Sequence, residues 1–256
     1  MSTTQGKFTY FLSDLHLGAN YLEHPRDNER RVVRFLDSIA PTASAVYLLG
    51  DVLDYWFEYR TVVPRGYVRF FAALASLADA GVAVYWLTGN HDVWLFDYLR
   101  DELGITVLHE HGVHNIMGKH FFLSHGDDVG YQPPLYRFMR YCFYNKWCQR
   151  LYATIHPRWT HAVAHGWSSQ NRTSRNHEQV ATAVEKSVKH LLDFATRYCA
   201  QNDQVDFFVF GHLHIARCVE VPGTACTITF LGDWISQFTY AVFDGEQLQL
   251  KSFKEN

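Results

Sequence analysis

Five mainly apolar runs of strand length, residues 8–12, 45–49, 82–87, 120–124 and 206–210, each end at a small residue and give way at once to polar side chains. Unbroken apolar stretches of this length are what strands buried on both faces look like. Between the first three, residues 28–39 carry Val32, Val33, Phe35, Leu36 and Ile39 among arginines, which predicts a helix stopped by Pro41. Residues 66–80 predict a second helix closed by Gly81, and about 93–103 a third. Strand, helix, strand, helix, strand is the βαβ pattern of a sheet with helices on its faces. Shorter β-like pieces follow at 106–108, 113–117 and 120–124, and again at 206–210, 216–221, 227–231, 239–243 and 248–253. These predict a second sheet packed on the first, with helices outside.

A stretch of different character separates the two groups of strands. In residues 131–180 helical periodicity replaces strands, with Leu135, Phe138, Met139 and Cys142 on one face, and a long amphipathic helix follows through Val180, Val184, Val188, Leu191, Leu192 and Ala195. The expected organisation is therefore a core of residues 1–130 and 181–256 interrupted by a helical insertion at 131–180. No internal repeat or low-complexity tract is visible.

Composition narrows the class. The chain has 256 residues, 48% hydrophobic and 19% charged, which is ordinary for a globular protein. A net charge of −3 argues against a surface that tracks nucleic acid over its whole extent. Five cysteines make an odd number without Cys-x-x-Cys spacing, so free thiols in a reducing cytosol are expected. The polar residues 1–7 lack the order of a signal peptide, and no apolar run reaches membrane-spanning length. A cytoplasmic protein, soluble or peripherally membrane-bound, is the expectation.

The polar residues at the strand ends carry the chemistry. Asp14 and His16 are two apart on a segment expected to be extended, so both side chains would point the same way, and His212 and His214 share that spacing. Asp51 and Asn90 each follow a glycine at a strand end, and His125 follows the 120–124 run. Seven potential ligands suit two ions sharing one carboxylate better than one ion. Imidazole and carboxylate donors without thiolate favour manganese, with iron and zinc as alternatives, over calcium. The assignment is Asp14, His16, Asp51 and His214 for one divalent ion and Asp51, Asn90, His125 and His212 for the other. Two carboxylates against two divalent ions leave about two positive charges uncompensated, which favours an anionic phosphate. His24, His109, His111, His114 and His161 read as ordinary structural histidines.

Asp-x-His, Gly-Asp-x-x-Asp, Gly-Asn-His-Asp, His-Gly-Asp and Gly-His-x-His, in this order, resemble the calcineurin-like metallophosphoesterases. The resemblance covers the whole chain and implies an α/β fold of two packed mixed β-sheets flanked by helices, an α-β-β-α sandwich, with the two-ion assignment above. It further implies that His91 contacts the phosphate or assists the leaving group, with Asp54 orienting it through the other ring nitrogen. Within that superfamily the chain is most similar to the UDP-2,3-diacylglucosamine hydrolases of lipid A synthesis, through Ser-Asp-Leu-His-Leu (13–17), Asp-Tyr-Trp-Phe-Glu-Tyr (54–59), His-Gly-Asp-Asp (125–128) and the helical insertion. One departure is His91, where the best-known members of that group carry arginine. The resemblance implies hydrolysis of the diphosphate of UDP-2,3-diacylglucosamine to UMP and the diacylated sugar 1-phosphate, the alternatives being another phosphoesterase of the same fold (a phosphatase, phosphodiesterase or nuclease) or a non-catalytic binding scaffold.

The insertion fits such a lipid-linked nucleotide sugar. It holds Arg137, Arg140, Lys146, Arg150, Arg158, Arg172 and Arg175 against a single acid, Glu178, interleaved with aromatic residues from Tyr131 to Trp167. That combination suits a cap with an apolar cavity and a basic rim at the inner leaflet of an anionic membrane. The aromatic residues follow helical spacing rather than forming stacking platforms, so no nucleic-acid partner is expected, and no obligate protein partner is implied. The cluster at 170–176 resembles the stretch that holds the UDP-glucosamine part. Asn90, His91, Tyr131, Arg172, Ser174 and Arg175 are the expected substrate contacts.

Overall fold

A computed structural model describes residues 7–160, 177–202 and 204–254. The expected layers are present: two mixed sheets packed face to face, with helices on both outer faces. Strands β1 (Phe8–Leu12), β2 (Ala43–Leu49), β3 (Ala83–Leu87) and β4 (Thr106–Leu108) run parallel. Strands β5 (Gly112–Ile116), β6 (Lys119–Ser124), β7 (Phe207–Phe210), β8 (Ala216–Glu220) and β9 (Thr227–Leu231) build the second sheet in the order β5-β6-β7-β9-β8. Strands β10 (Thr239–Phe243) and β11 (Leu248–Ser252) return to the first, whose order is β11-β10-β1-β2-β3-β4.

Two expectations about the sheets are corrected here. The 106–108 piece extends the parallel edge beside β3, and the last two strands close the other edge, β10 pairing antiparallel with β1. Their alternation of apolar and polar residues allows either sheet. What selects the first is the unpaired backbone edge of β1 and β3, which needs partners for its N–H and C=O groups.

The period of two explains why the early strands are apolar throughout. Phe11, Tyr47, Leu49, Leu87 and Phe243 face the second sheet and meet Phe121, Leu123, Val209 and Leu231 between the sheets. Their neighbours Tyr10, Leu12, Val46, Leu48 and Trp86 face the helices α1 (Pro25–Ile39), α2 (Val68–Asp79) and α3 (Tyr98–Leu103). Fully burying each such side chain contributes about 1.5–3 kcal/mol.

Two of these helices have their N-termini satisfied by carboxylates from elsewhere in the chain. Glu29 of α1 accepts from the N–H groups of Arg69 and Phe70 at the start of α2. Glu58 accepts from the N–H groups of Phe96, Asp97 and Tyr98 at 2.6, 2.9 and 3.3 Å. That bond set, together with the Phe57–Trp94 bridge, holds residues 93–97 out of the helix and moves the start of α3 to Tyr98 rather than 93.

Helices α4 (Pro134–Tyr144) and α5 (Lys146–Ala153) meet at Asn145, whose side chain accepts from the N–H groups of Trp147 and Cys148. Asp127 ties α4 to the core, accepting from Tyr136 Oη at 2.7 Å and an Arg140 nitrogen at 2.8 Å. Phe143 and Tyr152 pack on Trp94. The apolar face of α4 does not point at the core: Leu135 is 72% exposed and Phe138 63%, with Trp147 and Leu151 of α5 equally open. Helix α6 (His177–Gln201) covers the second sheet through Val188, Leu191 and Ala195. Among the described residues no helix is long and apolar enough to cross a membrane.

Candidate metal centre

The carboxyl ends of β1, β2, β3, β6 and β7 lie on one edge of the sandwich, and the loops leaving them carry all seven expected ligands. The backbone there is not extended. Asp14, His16, Asp51, His212 and His214 have φ of 55°, 43°, 51°, 66° and 52°. Asp14 and His16 are therefore brought to one group by left-handed turns and not by strand alternation, while His212 and His214 reach different groups. Such a conformation costs a non-glycine residue about 1–2 kcal/mol.

The turns are held by hydrogen bonds between loops. Asp14 N donates to Gly50 O at 3.1 Å, His16 N to Asp51 O at 2.9 Å, and Asp54 N to Leu17 O at 3.0 Å. Gly211 N donates to His125 O, and His212 N to Asp14 Oδ2, both at 2.9 Å. Two glycines allow this approach. A Cβ on Gly89 would collide with the Asp51 carboxylate, and one on Gly50, at φ +82°, would lie 2.6 Å from His125 Nδ1.

The result is a continuous set of donor atoms. Asp51 Oδ2 lies 3.7 Å from His16 Nε2, 3.3 Å from His125 Nε2 and 3.9 Å from His91 Nε2. Asp14 Oδ1 lies 3.8 Å from His16 Nε2 and 3.4 Å from His214 Nε2. Asp14, His16 and His214 form one group able to hold a cation, and Asp51, His125 and His212 form another. Asp14 Oδ1, His16 Nε2, Asn90 Oδ1 and His125 Nε2 are buried without a hydrogen-bond partner. A buried polar atom left in that state costs about 1–3 kcal/mol, so four together in one place fit cation ligands and not a packed core. Burial pushes the Asp51 carboxyl up, but His125, His91 and His16 outweigh it and hold it well below the usual carboxylate range.

The surrounding groups fix which nitrogen faces inward. His125 Nδ1 lies 2.8 Å from Leu49 O and can only donate to it, which turns Nε2 towards Asp51. Asp54 does two things. Its carboxylate takes His16 Nδ1 at 3.1 Å, while its backbone carbonyl takes His91 Nδ1 at 2.8 Å, with the carboxylate 3.6 Å from that ring. The contact of Asp54 with His91 is thus made through the main chain, and its side chain bonds the candidate ligand His16. Burial pushes His91 down, yet Asp51 and Asp54 outweigh it and raise the ring above its ordinary value.

Asp92 is a functional residue that sequence alone leaves as the last letter of Gly-Asn-His-Asp. Fully buried, it accepts from Gly89 N at 2.7 Å, Val52 N at 2.9 Å, Trp86 Nε1 at 3.1 Å, Asp51 N at 3.3 Å and Leu53 N at 3.4 Å. It clamps the Asp51 loop to the Asn90 loop. Burial, with Asp51 beside it, lifts its carboxyl to about 6 against the pull of these donors.

Of the expected substrate contacts, Asn90 and His91 are at the centre. Tyr131 lines an open cleft of about 340 Å³ whose walls also include Tyr136, His190 and His212. Arg172, Ser174 and Arg175 lie outside the described residues.

The model of the family described as calcineurin-like phosphoesterase matches residues 9–216. A UDP-2,3-diacylglucosamine hydrolase of Porphyromonas gingivalis is 40% identical to the chain, covering 96% of it and 97% of that protein. Proteins of the same name from Photorhabdus laumondii and Nitrosococcus oceani are 29% and 28% identical, covering 96% and 88% of this chain and 98% and 87% of their own.

Replacing Asp92 by alanine strands five buried donors and is expected to lower unfolding free energy by about 3 kcal/mol or more. Urea denaturation measures it, and a loss below about 1 kcal/mol would contradict the clamp.

Proposed function

Because the chain belongs to the calcineurin-like phosphoesterase family, we propose that it is a metal-dependent hydrolase of UDP-2,3-diacylglucosamine, releasing UMP and 2,3-diacylglucosamine 1-phosphate in lipid A synthesis. What carries the substrate is the relative of that name, 40% identical along almost the full length of both chains. The unpartnered donors around Asp51 support the metal dependence.

In this reading Asp14, His16, Asp51 and His214 hold one divalent ion and Asp51, Asn90, His125 and His212 the other, manganese in the first place and iron or zinc otherwise. When bound, the pair supplies an activated water and neutralises charge on the phosphoryl group. Asp51 Oδ2 would lie between the two positions, within 4 Å of the His16, His91 and His125 rings. His91 presents Nε2 to the same space, fixed by its Nδ1 bond to Asp54 O, and there holds a phosphate oxygen or gives a proton to the departing one. The left-handed loops and the Asp92 clamp keep these atoms in place before substrate arrives, so little reorganisation is left for the reaction itself.

Residues 131–180 act as the cap in the same reading. The outward stripe of Leu135, Phe138, Tyr141, Trp147 and Leu151 has Arg137, Lys146 and Arg150 beside it, which suits the inner leaflet of an anionic membrane, where the acyl chains reside. Tyr131 on the cleft wall, with Arg172, Ser174 and Arg175, takes the sugar and diphosphate.

Purified protein is expected to release UMP from UDP-2,3-diacylglucosamine in a metal-dependent reaction. Asp51→Ala loses turnover and retained metal together, whereas His91→Ala keeps its metal and loses about 100- to 10,000-fold in kcat. Hydrolysis of a small phosphodiester with no release from the lipid nucleotide would overturn the substrate, and full activity in Asp51→Ala would overturn the shared carboxylate. For the membrane face, the protein is expected to sediment with phosphatidylglycerol vesicles, and the Leu135→Ser, Phe138→Ser, Trp147→Ser triple variant to remain in the supernatant. Equal sedimentation of the two would sink that part.

A further inference from the structure

A sixth strand end reaches the same edge of the sandwich. Strand β9 lies parallel to β7 and runs into Gly232-Asp233-Trp234, a Gly-Asp step like that of Gly50-Asp51 but outside the five motifs. Asp233 is 4% exposed, and its oxygens are already engaged. Oδ1 accepts from the N–H groups of Ile235, Ser236 and Gln237 at 2.9, 2.7 and 3.2 Å, and Oδ2 accepts from Gln237 Nε2 at 2.8 Å. This separates it from Asp14, whose Oδ1 is buried without a partner. Asp233 is built to hold a turn, not to bind an ion itself.

The turn acts on two of the candidate ligands. Trp234 N donates to Asp14 O at 3.1 Å. Gln237 Nε2 donates to His214 O at 2.7 Å while its Oε1 accepts from Ala216 N at 3.1 Å, so one side chain spans the backbone that carries the left-handed His214. Asp233 Oδ2 lies 3.6 Å from His214 Nδ1, on the side of the ring opposite the Nε2 that faces Asp14 at 3.4 Å. A negative charge there favours a proton on Nδ1 and turns the Nε2 lone pair towards the cation position. Trp234, fully buried against Phe35 and Phe253, roots the turn in the core under the first sheet. Asp14 and His214 come from different sheets, and the turn is bonded to both.

We propose that the 232–237 turn is a brace for the cation position of Asp14, His16 and His214, with Asp233 and Gln237 as positioning residues that set its affinity separately from the position of Asn90, His125 and His212. The second position has supports of its own: Asp92 on the Asp51 and Asn90 loops, and the Leu49 carbonyl on His125. The inference rests on the two-ion reading above.

The test is manganese binding to the full chain stripped with chelator, with free Mn(II) followed by electron paramagnetic resonance. Wild type is expected to take up two ions. Asp233→Asn keeps acceptor oxygen for the turn but removes the charge beside His214, and should weaken one ion by about 10- to 100-fold while the other is unchanged. Gln237→Ala should weaken the same ion. The Asp233→Asn, His214→Ala double variant should lose little more affinity than His214→Ala alone, since the Asp233 charge acts through that ring. Metal-free Asp233→Asn should keep a cooperative unfolding transition, so that a weakened ion does not reflect a lost fold. Equal weakening at both positions, or no weakening in either single variant, would overturn the brace. A wild type that binds fewer than two ions would instead overturn the two-ion reading and this inference with it.

Discussion

One buried oxygen, Asp51 Oδ2, faces the imidazoles of His16, His91 and His125 within 4 Å, and the edge of the sandwich is arranged to make that possible. No local segment could bring these groups together. His16 follows β1, His91 follows β3 and His125 follows β6 of the other sheet, so the packing of two sheets is what closes the constellation. The stacked rings between the sheets, Tyr47 on Phe11 and Phe11 on Phe121, therefore set the spacing of the centre as well as contributing to the core.

Holding like-charged and unpartnered atoms so close has a cost, which is met in the loops. Five candidate ligands adopt left-handed backbone, and their main-chain groups are tied by hydrogen bonds to neighbouring loops. Buried carboxylates outside the ligand set do the fixing: Asp92 gathers the N–H groups of the Asp51 and Asn90 loops, Asp54 holds the His16 ring, and Asp233 shapes the turn beside His214. The same device recurs farther out, where Glu29 and Glu58 satisfy helix starts that have no side-chain cap of their own.

Much of this was legible in the sequence, and the reasons differ by feature. Strand 8–12, the 82–87 run that becomes strand 83–87, and residues 28–39 of helix 25–39 show themselves because burial on one or two faces imposes a period that side-chain type reveals. The seven candidate ligands stood out because each follows such a strand. Sheet membership of 106–108 and of the last two strands was not legible, since alternation says which face is buried and nothing about the neighbour. The left-handed turns were hidden because Asp and His give no glycine signal. Asp92, Asp233 and Gln237 were hidden because their work is hydrogen bonding to main-chain groups, whose positions follow only from the fold. The outward face of α4 reversed the usual inference from an apolar stripe, because Arg140 and Tyr136 are drawn inward by Asp127.

The central claim is that Asp51 is shared between two cations. Anomalous scattering from a crystal soaked in manganese tests it most directly. The account predicts two peaks about 3.5–4 Å apart on either side of Asp51 Oδ2, one beside Asp14, His16 and His214 and the other beside Asn90, His125 and His212. A single peak, or two peaks that do not share Asp51, would contradict it.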